Sequence, residues 1–151
     1  MINKDFDRLE NDEIKVGDFV AMQEDAKYGW GSYLCNNFRI MQIARITPKR
    51  TKAYSENGTE INLKYTYLYK VTSEMMLLVQ KNKLKKKLAN CLYNQINATD
   101  YMTSKKEKLM RYIRDYINAL TDEKLNSELA KFEAVEEVVK SFIAEADPKE
   151  G

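Results

Sequence analysis

Histidine is absent from this chain of 151 residues, and cysteine, proline, glycine and tryptophan are scarce. Without an imidazole, the commonest general base, the commonest metal ligand and every histidine-dependent catalytic triad are excluded. The two cysteines, Cys35 and Cys91, form no C-x-x-C pair, so reduced thiols are expected and one disulfide is the less favoured alternative. We therefore predict a cytoplasmic protein with no catalytic residues, no metal and no cofactor.

Long apolar runs and glycine-rich phosphate loops are also missing. No run approaches the roughly 18 residues of a membrane span, and the polar start of the sequence predicts no signal peptide, so no membrane partner is expected. One carboxylate pattern is present, because Glu13 and Lys15 have the E-x-K spacing of metal-dependent nucleases, with Asp5, Asp7 and Asp12 upstream. Such triplets arise readily by chance in so charged a chain, so a solvated surface is favoured and an enzyme is the least favoured function.

The charged residues themselves are strongly partitioned along the chain. Positions 44–118 hold sixteen of the 25 basic residues but only six of the 23 acidic ones, a net charge of +10. The flanking segments 1–43 and 119–151 carry −3 and −5, so the formal total of +2 conceals a basic centre. Such a centre predicts a polyanion or an acidic protein surface as partner.

Hydrophobic periodicity changes from two residues to 3.6 residues near position 72. Before it, short alternating runs and the Asn57-Gly58 turn predict four or five antiparallel strands. After it, two or three helices are expected, with caps at Thr72 or Ser73, at Ser104 and at Thr121. The expected fold is α+β: a small antiparallel SH3-like β-barrel at 1–73, a helical segment at 74–147 and a tail at 148–151.

The helices are expected to pack through one apolar stripe, either on one another or on a second copy of the chain in a homodimer. This stripe comprises Leu109, Ile113, Ile117, Leu125, Phe132 and Val139.

Two stretches resemble known proteins. Ile14-Lys-Val-Gly-Asp-Phe-Val20 resembles the opening of SH3-like and KOW-like barrels. The stretch 38–58, followed by 68–72 and a helix, is similar to small phage proteins of mostly unassigned function, in which a barrel hairpin precedes a basic helical tail. The resemblance covers about half of the chain. It implies a phage origin, and hence a place in the host cytoplasm, and an accessory role without catalysis.

The first candidate site for nucleic acid is a basic hairpin turn around Pro48. It combines cations with an aromatic ring: Arg45, Lys49, Arg50, Lys52 and Tyr54. Cations hold phosphates and rings stack on unpaired bases, so barrels that bind single strands use both. The alternative is that the cations are only solvated and the neighbouring tyrosines pack within the sheet.

The second candidate site is the lysine run of the first predicted helix. Lys83, Lys86 and Lys87 lie away from its leucine stripe. They are expected either to contact nucleic acid or to pair with acidic residues of the last helix, and the sequence favours neither. Those acidic residues are Glu133, Glu136 and Glu137.

Trp30 lies between two glycines and is followed by Tyr33. Both rings are predicted to anchor a partner protein, and a tryptophan that plugs the end of the barrel is the alternative. The favoured function is that of a non-catalytic phage-type accessory protein that binds nucleic acid or a nucleic-acid complex. The alternative is an inhibitor or adaptor that acts on a host nuclease or defence enzyme.

Overall fold

The computed structural model of the protein describes residues 6–146, apart from the side chains of Val139 and Ala146. It confirms the α+β class, because strands occupy the first half of this range and helices the second. The predicted tail at 148–151 lies outside the described residues. The predicted change of period near residue 72 is also confirmed, since the first helix begins at Ser73.

Six strands form one sheet in the described part of the chain. They are β1 (Arg8–Leu9), β2 (Phe19–Tyr28), β3 (Ser32–Ile46), β4 (Lys52–Ser55), β5 (Glu60–Asn62) and β6 (Leu68–Lys70). Their order is β1-β6-β2-β3-β4-β5, so β1 and β5 are the two edges. The sheet is therefore open, and the predicted closure into an SH3-like barrel is not observed.

Glycine at positive φ marks two of the hairpin turns of the sheet. Gly29 and Gly31, with φ of 61° and 99°, flank Trp30 between β2 and β3. Gly58, with φ of 87°, closes the predicted β4–β5 hairpin, where the Thr59 amide donates to Ser55 Oγ at 3.0 Å. A glycine adopts these conformations without the steric cost that a Cβ brings. The predicted hairpin around Asn57-Gly58 is confirmed.

Three helices follow the sheet: α1 (Ser73–Asn97), α2 (Thr103–Ala119) and α3 (Asp122–Ala146). Thr72 and Thr121 cap α1 and α3, as their hydroxyl oxygens accept hydrogen bonds from the backbone amides three residues later. The predicted cap at Ser104 is wrong, because α2 begins one residue earlier and has no side-chain cap. Among the described residues, none of the helices combines the length and the hydropathy of a membrane span.

The described residues group into two compact units. Unit 1 comprises the chain as far as Ala26 together with Asn36–Gln80. Its core clusters are built on the sheet, and one of them includes Met75 from the first turn of α1. Unit 2 comprises Lys27–Cys35, which we call the hairpin tip, and the chain from Lys81 onward. Both units therefore contain parts of β2, β3 and α1.

The inward faces of the helices supply most of the buried side chains of unit 2, and the hairpin tip adds Tyr28 and Leu34. Those from the helices are Leu88 and Ala89 of α1, Ile113 and Ile117 of α2, and Leu125 and Leu129 of α3, with Asn82 as a buried polar residue. Of the remaining predicted stripe, Leu109 and Phe132 are half-buried, and the Val139 side chain lies outside the described residues. The apolar face of α3 continues beyond Phe132 as an exposed surface, with Phe142 at 68% exposure and Ile143 at 58%.

Candidate nucleic-acid interface

Arg50 of the predicted basic turn is half-buried and bound to the backbone of another segment. Its backbone has a left-handed conformation, with φ of 54°. Its Nη2 donates hydrogen bonds to the carbonyl oxygen of Asn11, at 2.6 Å, and to that of Ile14. The side chain therefore links the segment before β2 to the turn.

Two further cations of this turn have intramolecular partners. Lys52 Nζ lies 2.8 Å from Glu60 Oε1, and this hydrogen-bonded ion pair raises the pKa of Lys52 and lowers that of Glu60. The Arg45 guanidinium lies 4.3 Å from the centroid of the Tyr54 ring, so one face of the ring is already covered by a cation. Lys49 is exposed. Three of the four cations of this turn, Arg45, Arg50 and Lys52, thus already have a contact partner within unit 1.

The lysine run of α1 is divided between the two predicted alternatives. Lys87 Nζ lies 3.0 Å from Glu133 Oε1 of α3, and the hydrogen bond and charge of Glu133 raise the pKa of Lys87. Lys83 and Lys86 are exposed and form no ion pair with a carboxylate within residues 6–146. Glu133 of the acidic last helix therefore pairs with Lys87, whereas Lys83 and Lys86 are open to solvent.

An open groove of about 880 Å³ lies within unit 2, between the hairpin tip and the helices. We call it the tyrosine groove. Four tyrosines line it: Tyr28, Tyr33, Tyr93 and Tyr112. Three cations line it with them: Lys108, Arg111 and Arg114. Its volume is within the roughly 300–1,000 Å³ range of ligand sites, and it combines rings with positive charge.

Helical spacing places three of the α2 residues of the groove on one side of the helix. Arg111 and Tyr112 come three and four residues after Lys108, so they lie one turn further along the same side. Ile113 and Ile117 are buried on the opposite side. The same amphipathic pattern that packs α2 into unit 2 therefore presents its cations and Tyr112 outward.

Long-range hydrogen bonds fix the hairpin tip against the helices of unit 2. The Tyr28 hydroxyl donates to the carbonyl oxygen of Met110 at 3.2 Å. The Gly29 amide donates to Asn90 Oδ1 at 2.8 Å. The Tyr28 and Tyr93 rings pack edge to face with centroids 6.4 Å apart. Tyr28 and Tyr93 thus line the groove where the hairpin tip contacts the helices.

The electrostatics of the groove are mixed and not uniformly positive. Arg114 Nε lies 3.6 Å from Asp115 Oδ1, whereas Lys108 and Arg111 form no ion pair with a carboxylate in the part of the chain described. Glu107 is a second acidic residue of the lining. Burial raises the pKa of Tyr28, and the nearby Arg114 opposes this shift. Lys108 and Arg111 are therefore the cations available to an anionic ligand.

Trp30 and Tyr33 lie at the hairpin tip, Trp30 in the turn between β2 and β3 and Tyr33 at the start of β3. Trp30 is 92% exposed, so the alternative of a tryptophan that plugs a barrel is wrong. Tyr33 is 41% exposed and lines the groove. The prediction that both rings meet a partner stays open, and the structure brings Tyr33 together with Tyr112 and Arg111.

The carboxylate pattern of the N-terminal segment forms no metal site in residues 6–146, where no group of three or more potential ligands is placed to hold an ion. Glu13 instead accepts a hydrogen bond from the Glu10 amide at 3.2 Å, closing a short 3-10 turn. Asp5 lies outside the described residues.

The chain matches no protein-family model, and no curated protein and no solved structure shows significant similarity to it. The predicted resemblance to phage accessory proteins therefore stays a prediction. The functional argument consequently depends on the chemistry of the tyrosine groove and of the exposed lysines.

Sequence reasoning missed most of the groove. Lys108, Arg111 and Arg114 all belong to the basic centre, but only the lysine run and the hairpin turn stood out by density. The spacing of Lys108, Arg111 and Tyr112 opposite Ile113 was the available signal. Nothing local indicated that Tyr28 would meet α2, because its partner Met110 is 82 residues away.

Gly29→Ala should lower the free energy of unfolding by about 1–3 kcal/mol. An added Cβ would lie 2.7 Å from Tyr93 Cε2, and the backbone φ of 61° disfavours an L side chain. Denaturant unfolding measures the loss. In a Tyr93→Leu background the penalty should shrink, since only the backbone cost is left. If Gly29→Ala lowers the free energy of unfolding equally in both backgrounds, contact with the Tyr93 ring is not the cause of the loss.

Proposed function

We propose that the protein is a non-catalytic nucleic-acid-binding module whose phosphate contacts come from exposed cations of unit 2. One observation carries this proposal. The structure separates the cations of the basic centre into those with internal partners, such as Arg50, Lys52 and Lys87, and those without a carboxylate partner within residues 6–146. The latter include, in unit 2, four exposed cations: Lys83 and Lys86 on α1 and Lys108 and Arg111 on α2.

Cations that are exposed and unpaired can exchange solvent counterions for phosphates at little cost. A paired cation first has to lose its carboxylate. The tyrosine groove supports the same location, because positive charge and exposed rings occur together there. The contribution of the β3–β4 turn is expected to be small.

Nucleic-acid binding should depend steeply on salt. If about four phosphates are contacted, affinity should fall roughly 50–150-fold between about 50 and 200 mM salt, because each contact releases counterions. Fluorescence anisotropy with labelled DNA and RNA measures this. Lys108→Glu with Arg111→Glu should weaken binding and reduce the slope of log affinity against log salt by about 1.5.

A matched control reverses two cations of the sequence-predicted turn, Arg45→Glu with Lys49→Glu, which makes the same change in net charge. We expect this variant to bind nearly as well as the unmodified chain. If both variants lose affinity equally, nucleic acid would be attracted by the total positive charge of the basic centre and not by contacts at one site. Loss in the control alone would place the contacts on the turn.

A protein partner is the second candidate function, and the exposed apolar end of α3 favours it. Val135, Val138, Phe142 and Ile143 are between 57% and 69% exposed. Exposed apolar residues grouped on one helix are typical of protein interfaces. Binding to such a partner would depend weakly on salt, and absence of any nucleic-acid binding at about 50 mM salt would make this function the better one.

A further inference from the structure

We infer that the tyrosine groove takes unpaired bases, so that the ligand of this module is a single-stranded nucleic acid. The inference rests on the proposed function and names its ligand class. It starts from the exposure of two tyrosines that line the groove: Tyr112 is 59% exposed and Tyr33 is 41% exposed. Both residues are therefore accessible to a ligand at the place where cations are available.

Phosphate binding alone does not need aromatic rings. In a duplex the base faces are covered by their neighbours in the stack, and the protein meets only phosphates and base edges. An unpaired base has two open faces, and stacking on an aromatic ring is favourable for every base. Rings placed beside Lys108 and Arg111 consequently fit a single strand better than a duplex.

The second acidic residue of the groove, Glu107, supports the same interpretation. Unlike Asp115, which is paired with Arg114, Glu107 would repel a ligand that offered only phosphates. It lies among the cations of α2, where its carboxylate can accept a hydrogen bond from the exocyclic amine of a base such as cytosine. A ligand that brings both phosphates and base edges into the groove can contact the cations through its phosphates and the carboxylate through its bases.

The groove also extends far enough for a strand. A second depression, of about 500 Å³, shares Lys108 and Tyr112 with it and continues to Ser104. From Ser104 to Asp115 the α2 surface runs about 16 Å at 1.5 Å per residue. Stacked nucleotides advance about 3.4 Å each, so several of them fit along this face. Tyr112, which belongs to both depressions, is the central stacking platform.

The test compares Tyr112→Leu, Tyr112→Phe and Tyr116→Leu at about 50 mM salt. The probes are oligonucleotides of about 16 nucleotides, oligo-dC and oligo-rC as single strands and a DNA duplex of mixed sequence. We expect tighter binding of the single strands than of the duplex. Tyr112→Leu should weaken single-strand binding about 5- to 150-fold, whereas Tyr112→Phe should retain it, because stacking needs the ring and not the hydroxyl.

Tyr116→Leu is the matched control, since Tyr116 is on the same helix and 46% exposed but does not line the groove. Its binding should be unchanged. Circular dichroism melts establish that each variant is folded. The two single strands show whether ribose or deoxyribose is preferred.

The outcomes separate the two proposals. If no nucleic acid binds at low salt, the proposed function fails and this inference fails with it. If duplex and single strand bind equally well and Tyr112→Leu has no effect, the inference fails while the proposed function stands. A loss in Tyr112→Phe equal to that in Tyr112→Leu would also overturn it, because the hydroxyl and not stacking would then be responsible.

Discussion

Ile117→Ala should lower the free energy of unfolding by about 2–5 kcal/mol. Ile117 is completely buried on the inward face of α2. Removing its outer carbons leaves a cavity among helices that are already tied together by polar contacts at the surface, such as the 3.0 Å ion pair of Lys87 with Glu133. Denaturant unfolding followed by circular dichroism measures the loss.

The same substitution at Ile143 is the control, because Ile143 is 58% exposed near the end of α3. We expect a change within about 0.5 kcal/mol for Ile143→Ala. A loss below about 1 kcal/mol for Ile117→Ala would show that the inward face of α2 is not a packed core. A large loss for Ile143→Ala would indicate that this residue is covered in solution, as in a homodimer formed through the helices.

Arg50→Ala is expected to cost about 2–3 kcal/mol, since hydrogen bonds from a charged donor contribute about 1.5–3 kcal/mol each and one of the two accepting carbonyls lies in an exposed segment. Arg50→Gly should cost about 1 kcal/mol less than Arg50→Ala. Glycine loses the same hydrogen bonds, but it adopts the φ of 54° without the strain of a Cβ. Thermal and denaturant melts measure both variants.

These variants also decide whether Arg50 touches nucleic acid. At a temperature where both are folded, we expect each to bind as well as the unmodified chain. A loss of affinity in the folded variants would return Arg50 to the interface and contradict its structural assignment. Equal stability of the alanine and glycine variants would argue against strain at this position.

Local sequence patterns predicted the individual strands and helices better than they predicted whether the sheet closes into a barrel. The β4–β5 hairpin followed from Asn57-Gly58, and the helix starts at Thr72 and Thr121 followed from their capping hydroxyls, because these signals act within a few residues. The alternation of Tyr65, Tyr67, Tyr69 and Val71 predicts that they share one face of a fifth strand. Only Leu68–Lys70 forms a strand there, β6, with Tyr69 buried and Tyr65 75% exposed.

The partners of individual charges followed from the sequence only in part. Lys87 was expected to meet either nucleic acid or an acidic group such as Glu133, and the ion pair is seen. Nothing in the sequence indicated that Arg50 would reach Asn11 and Ile14, because its left-handed backbone conformation redirects the side chain toward a segment 36 to 39 residues earlier. Charge density along a sequence therefore locates a basic surface only approximately.

Because each compact unit contains two separate stretches of the chain, the protein cannot be cut at one position into its two units. The chain crosses from one unit to the other at three places, after Ala26, after Cys35 and after Gln80. A cut at the end of the strands, near residue 73, would leave the hairpin tip without the groups that accept its hydrogen bonds, among them Met110 and Asn90. Neither fragment would then contain a whole unit, so the strands and the helices cannot be separated at this position without dividing both units.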